Sequence, residues 1–497
     1  MQPQTNRDAG GRLAASDRER IERAFQRARE ELEVRPEFPA AALDEAERAA
    51  RERNPETAPG YEDLTEVPFV TIDPPGSRDL DQALHLERAG DGLRLRYAIA
   101  DVGFWVDRGG AVEDEAWLRG VTFYAPDLRV PLYPPALGQG AASLLPDGVR
   151  PAVVFTVEVD ARAMPTAVRI QRARVRSRAQ LTYAQAQEHV EGGGRAFGAE
   201  AWSDSLMLLR EFGEARRARE AERGGVSLPA VDQHVQADAA TRLGYELEYE
   251  VPAASEQWNE QVSLLAGHVA ALKMLEAGAG LLRVMPPPDP EAVDKFRRAA
   301  RALGFPWPDG TAYADFIRSV PLDNPRLPTL VWQARRVNRG ADYVAFQGTP
   351  PEHAEHAALA MPYAHVTAPL RRLADRYVLD LLVELDAGGR PDAAETDALA
   401  RVAGVMNAAD SRAARLERKA VDIAEAWALR GREGRELPAT VLGFRGGDVE
   451  VQVQDPPVRA AARREGGRPR VEPGDRVTVR LARADVDAGE VELTLVP

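Results

Sequence analysis

The hydrophobic pattern changes period twice along the chain, and few architectures can accept both changes. From Phe69 to about Arg178 apolar residues fall in short strand-like runs (VPFVTID, LDQALHL, LRLRYAIADVGFWV, PAVVFTVEVD) separated by Gly, Pro and Asp. From there to about Arg430 the spacing is helical, as in SLMLLREFGEARRARE, EQVSLLAGHVAALKMLEAG, RRLADRYVLDLLVELDA and ARLERKAVDIAEAWALR. Past Arg435 strands return in LPATVLGF, DVEVQVQ, DRVTVRLARAD and EVELTLV, with Gly-Gly, Pro-Pro and Pro-Gly turns between them. Strands followed by helices predict a large α+β domain rather than alternating βαβ units. Short strands with no helical period predict a small closing barrel such as an OB-fold.

The first residues are different again. Residues 1–13 are polar and read as a frayed tail, and Ser16 is placed to cap a helix running to about Leu32 through Ile21, Phe25 and Ala28. Pro36 and Pro39 break it, a second charged helix reaches about Arg53, and NPETAPGYEDLTEVP reads as a linker. The expected division is a helical unit over 1–60, either helix-turn-helix-like or a plain cap, an α+β domain over 61–432, and a barrel over 433–497.

Composition removes several functions at once. With no cysteine, the chain has no disulfide scaffold, thiolate zinc site, iron–sulfur cluster or cysteine nucleophile. No run approaches the ~20 apolar residues of a membrane span, and MQPQTNRDAGGR is not a signal peptide, so a soluble cytoplasmic protein is expected. The formal net charge of −14 argues against a surface coated for nucleic acid. A local basic groove around an acidic site would vanish in that sum.

The segment TIDPPGSRDLDQALHL concentrates Asp73, Asp79 and Asp81 at the ends of two apolar runs. Asp79 and Asp81 are two apart, so on extended chain both carboxylates face one side, and the PPGS turn can fold Asp73 toward them. Converging carboxylates repel unless a cation intervenes. Hard oxygen ligands suit Mg²⁺, with Mn²⁺ as the alternative. An Asp-rich solvated turn is the competing reading of the same residues.

TIDPPGSRDLDQAL followed by LRYAIADVGFWV resembles the RNB catalytic domain of the ribonuclease II/ribonuclease R family of exoribonucleases. In that family TID is followed after five residues by D-x-D-D and then by an IADV-like strand. Further matches fall in chain order: TFYAPDLRVPLYPPAL with ASLLPDGVRPAVVFTVEVD, RVRSRAQLTYAQAQ, LLRVMPPPDPEAV, YAHVTAPLRRLADRYV and RLERKAVD. The resemblance spans roughly residues 61–430, and the terminal β unit fits the RNA-binding OB-fold that usually closes such chains.

By motif position, the resemblance implies that Asp73, Asp79 and Asp81 are three of four acidic metal positions, with Gln82 at the fourth. It implies Arg371, in VTAPLRR, as a clamp on the scissile phosphate, with Arg372 a helix-surface residue. Glu417 corresponds to an acidic residue near the terminal nucleotide, and Tyr124 to a tyrosine that stacks on or orients the 3′ end. Pro288 stands where some relatives place a second aromatic. Arg172, Arg174, Arg176 and Arg178 alternate, so on a strand they would line one face of an RNA channel. Arg459, Arg463, Arg464, Arg468 and Arg470 cluster in the barrel and would add to the grip. His353 and His356 read as a helix surface, having no HExxH-type carboxylate, and His365 as packing near the site.

The function implied is a Mg²⁺-dependent hydrolytic 3′→5′ exoribonuclease acting on single-stranded RNA and releasing 5′-mononucleotides. No small-molecule cofactor is expected, and the chain is expected to be a monomer. The alternative, motivated by Gln82, is a catalytically weakened relative that binds RNA.

Overall fold

The computed structural model describes residues 7–146, 148–226, 228, 232–237, 245–250, 253–321, 324, 326–464 and 471–496. Two helices open it, α1 (Arg7–Glu31) and α2 (Ala40–Glu52), separated at the predicted prolines. α1 begins at Arg7, so Ser16 lies inside it rather than capping it. Its apolar stripe Ile21, Ala24, Phe25 and Ala28, with Leu32 just past its end, is buried in the main core of the molecule.

The central sheet comprises β1 (Phe69–Asp73), β2 (Gln82–Ala89) and β3 (Gly92–Ala100), then β6 (Val149–Val159) and β7 (Pro165–Thr182). Between β3 and β6 lie helix α3 (Ala111–Arg119) and a two-residue hairpin pair, β4 (Phe123–Tyr124) and β5 (Arg129–Val130). With the two-residue strand Glu62–Asp63 outermost, the order is Glu62–Asp63, β7-β1-β2-β3-β6, and a further β6–β7 pairing curls the sheet on itself. β1 and Glu62–Asp63 run parallel to β7, whereas the other neighbours are antiparallel. Curling a sheet so that one face looks inward while helices cover the other explains why PAVVFTVEVD reads almost continuously apolar: Ala152, Val153, Val154, Phe155 and Val157 are all fully buried.

Helices α4 (Ser203–Arg223), α5 (Ala254–Ala277), α6 (Leu373–Asp386) and α7 (Ala393–Leu429) follow. α7 starts at a capping box in which Asp392 Oδ1 accepts from Glu395 N (2.8 Å) and Glu395 Oε2 from Asp392 N (3.0 Å). At 37 residues it is about 55 Å long. It packs in turn against α6, α1 and the barrel.

The barrel closes as β8 (Glu436–Arg445), β9 (Asp448–Val453), β10 (Arg459–Arg464), β12 (Glu490–Leu495) and β11 (Arg476–Asp485). It has its own core of Val441, Val449, Val451, Val479 and Leu481. An OB-like five-stranded closure on an α+β body is the expected fold class. Among the described residues no helix is long and apolar enough to cross a membrane.

The helix expected around His353 and His356 is absent. His353 lies in irregular chain, and Glu355–His356 pairs as a short strand with Met361–Pro362. Strand pairing has overridden the helical propensity of EHAEHAALA, as tertiary context commonly does.

Candidate active site

Asp73 ends β1 opposite Thr182, the last residue of β7. The chain then loops through PPGSRD, and Ser143 pins that loop: its Oγ donates to Arg78 O (2.7 Å) and accepts from Leu80 N (2.9 Å). Asp81, only 2% exposed, enters β2 from this loop. Its Oδ1 accepts the Leu370 N–H and its Oδ2 the Arg371 Nε–H, each at 2.7 Å.

The TAPLRR turn that delivers Leu370 and Arg371 is held from beneath by Asp375. This fully buried carboxylate accepts from Ala368 N (2.7 Å) and pairs with Arg372 (2.6 Å), so Arg372 is an internal tie rather than a surface residue. Thr122 N donates to Arg371 O (2.9 Å), docking the β4–β5 hairpin beside the turn. The chain reaches that hairpin at Gly120, whose φ of +75° and close approach to Ala409 would strain any side chain.

From the hairpin, half-exposed Tyr124 lies beside Arg371, close enough to favour its charged form, and Arg129 Nη1 donates to Asp79 Oδ1 at 2.6 Å. The Arg129 guanidinium lies 5.3 Å from the Tyr124 ring centroid. Asp73, Asp79, Asp81, Arg371 and Tyr124 are thus drawn together from three stretches of the chain. Arg129 was not singled out in the sequence. Its only local sign is its place in DLRVP, five residues after Tyr124.

Burial, and then the nearby Asp81 charge, push the Asp73 carboxyl up to about 7, with Arg371 opposing. Asp81 is also raised by burial, against the pull of Arg371 and the Leu370 N–H. A cation would relieve both. Among the described residues no three carboxylates or imidazoles form a ready metal cage. Mg²⁺, however, is usually bound through one or two carboxylates plus waters and substrate phosphates. Asp73 fits that mode, and Asp81 would add a lone pair left beside its bonds to Leu370 N and Arg371, as Asp79 would beside its bond to Arg129.

Gln82 departs from its expected place among the ligands. Its amide nitrogen donates to Thr367 O and its Oε1 accepts from Tyr97 OH (2.8 Å), which in turn bonds Ser263 Oγ (2.7 Å). Both ends of the amide are spent on fastening β2 to the TAPLRR turn and, through Tyr97, to α5.

The β7 arginine strip is likewise corrected. Arg172 bonds Asp101 (2.9 Å) and Asp380, and Arg174 bonds Asp63 (3.0 Å) and Glu56 O. Arg178 donates to Thr65 O (2.7 Å), and Arg176 faces the Asp63 charge. The alternation was right, but acidic and carbonyl partners occupy the face. Glu417 is exposed on α7 and, among the described residues, takes no part in the hydrogen bonds and ion pairs that build this site. On the barrel, Arg463 stays largely exposed, 3.6 Å from Glu492, and Arg464 lies over the exposed Phe444 ring. Arg468 and Arg470 lie outside the described residues.

The Asp73 shift has a measurable consequence. A carboxyl raised above its unfolded value costs nothing below about pH 4 and destabilises the fold increasingly as pH rises toward 7. In chelator-treated protein, Asp73→Asn should therefore gain about 1–3 kcal/mol at pH 8 and nothing near pH 4. Urea melts at the two pH values check this, and a pH-independent difference would refute the buried, raised carboxyl.

Residues 61–386 match the RNB domain model, and residues 435–496 match the RNase II-type exonuclease C-terminal S1 domain. Over 348 residues the chain is 30% identical to Ribonuclease R of Escherichia coli, covering 67% of this chain and 41% of that protein. The chain thus spans about two fifths of that curated relative. A solved RNase R of Mycoplasma genitalium, in complex with ribose methylated single-stranded RNA, shares the fold. Its TM-score is 0.83 at 20% identity, covering 95% of this chain and 77% of that one. A yeast pseudonuclease also shares it, with a TM-score of 0.64 at 18% identity over 82% of this chain and 51% of that one. By its matched domain and its relatives, this chain belongs to the RNB-domain family.

Proposed function

We propose that the chain is a hydrolytic 3′→5′ exoribonuclease that shortens single-stranded RNA to 5′-mononucleotides with the help of Mg²⁺ or Mn²⁺. The observation that carries this reading is the joint contact of Arg371 with Asp81 and Tyr124 beside Asp73. One guanidinium edge is tied to the acid, and the side chain remains 41% exposed. Its remaining N–H groups can meet a phosphate oxygen as charge develops there. The open face of Tyr124 offers a terminal base a stacking surface that does not depend on sequence. Asp73 and Asp81 would hold the divalent ion, which when bound supplies charge neutralisation and an activated water. Arg463, Arg464 and the exposed Phe444 offer the RNA a second grip on the barrel.

A second reading, an RNA-binding chain that does not cleave, is favoured by the spent amide of Gln82 and by the arginine already on Asp79. A 5′-labelled oligoribonucleotide separates the two. With Mg²⁺ a ladder shrinking from the 3′ end is expected. EDTA should stop it and added Mn²⁺ or Mg²⁺ restore it. A deoxy strand of the same sequence should stay largely intact. Tight binding with no shortening would select the second reading.

A further inference from the structure

The N-terminal helix α1 has no part in the chemistry proposed above, yet its ionic contacts lead to both the barrel and the site. Arg20 and Arg27 both engage Asp487, in the turn between β11 and β12. Two residues further on, Arg29 is 7% exposed, and its Nη1 donates to both carboxylate oxygens of Asp127, at 2.6 and 2.8 Å. Asp127 sits in the turn of the β4–β5 hairpin, closed by paired bonds between Ala125 and Leu128 (3.1 and 3.3 Å). The residues flanking that turn are Tyr124, which touches Arg371, and Arg129, which holds Asp79.

A second tie holds the base of the same hairpin. In the link between α1 and α2, Glu37 O accepts from Arg119 Nη2 (2.8 Å) and the Phe38 ring lies 3.8 Å from the Arg119 guanidinium. Arg119 Nη1 in turn donates to Pro131 O (3.1 Å), just past β5. The hairpin is therefore gripped at its turn and at its base by the N-terminal segment. A buried, charge-assisted pair fixes geometry more firmly than an exposed one, and losing one partner leaves the other uncompensated.

We infer that Arg29 is a positioning residue for the active site: through Asp127 it sets the hairpin so that Tyr124 and Arg129 stand over the acidic cluster. α1 then acts as a strut on the site, and its contacts with Asp487 are separate from that task. The catalytic part of this inference rests on the exoribonuclease reading, whereas the mechanical part does not.

The test uses the full chain and two readouts. Hydrogen–deuterium exchange follows the amides of 122–130, and single-turnover shortening of labelled RNA is measured beside RNA affinity. In Arg29→Met the hairpin amides should exchange at least about tenfold faster while those of β2 and β3 keep their protection. The single-turnover rate should drop about 10–100-fold with affinity within about twofold, because small displacements at a site cost rate more than binding. Asp127→Asn should reproduce both changes. The exchanged pair Arg29→Asp with Asp127→Arg should recover most of each, and Arg20→Ala should leave both unchanged. Unchanged hairpin exchange, a rate that falls only with the folded fraction, or an equal effect from Arg20→Ala would each overturn the inference. Should the wild type fail to shorten RNA, the exoribonuclease reading falls, and the exchange readout still decides whether Arg29 positions the hairpin.

Discussion

Asp81→Asn is expected to lower the single-turnover rate of RNA shortening about 10³-fold while RNA affinity stays within a few-fold. The carboxylate is buried, close enough to Asp73 to raise it, and bonded to Arg371, so it lies at the meeting point of the proposed ion and the phosphate clamp. Asparagine keeps an oxygen for the Leu370 N–H but brings no charge, and Arg371 loses its anion. The fold should therefore survive while the electrostatics of the site do not. Digestion of 5′-labelled RNA under enzyme excess, with filter binding alongside, measures both quantities. Wild-type shortening by this variant would remove Asp81 from the chemistry.

Arg371→Ala should be damaging twice over. Losing the phosphate clamp should reduce the rate about 10²–10³-fold. Losing the cation leaves Asp81 buried without its partner, which costs about 3–5 kcal/mol near neutral pH. The sign of the pH dependence follows from the direction in which Asp81 is displaced. Burial already holds it above its unfolded value and Arg371 opposes that, so the alanine variant raises it further. Its stability deficit should therefore be smallest near pH 4, where the acid is protonated folded or unfolded, and widen toward pH 8. Arg371→Lys should recover much of the stability but little of the rate, because an ammonium lacks the planar fork. Urea midpoints across that range check the first effect. A deficit independent of pH would show that the Arg371–Asp81 pair is not what holds the turn.

The parts of the site that could be read from sequence are those within one local stretch. Asp73, Asp79 and Asp81 fall within nine residues at two strand ends, and the structure sets Asp73 and Asp81 beside Arg371 and Asp79 on Arg129. Arg371 was legible only through its motif, because nothing local distinguishes it from Arg372. What was missed has distant partners. Arg129 reaches Asp79 across 50 residues, Gln82 reaches Thr367 across 285, and Arg172 reaches Asp380 across 208. The β7 arginines alternate as expected, yet alternation fixes only a face, and the residues covering that face come from elsewhere in the chain.

The order of strands, helices and barrel, the placing of the acids at strand ends and the exclusion of thiol chemistry followed from the chain alone. Each rests on residue type and local period, which act over a few residues. Which arginines remain available for a phosphate, whether Gln82 is a ligand or a fastening, and how the N-terminal helix reaches the site were decided by tertiary structure. A charged group's role depends on the partner it is folded against, and that partner is set by the packing of remote segments.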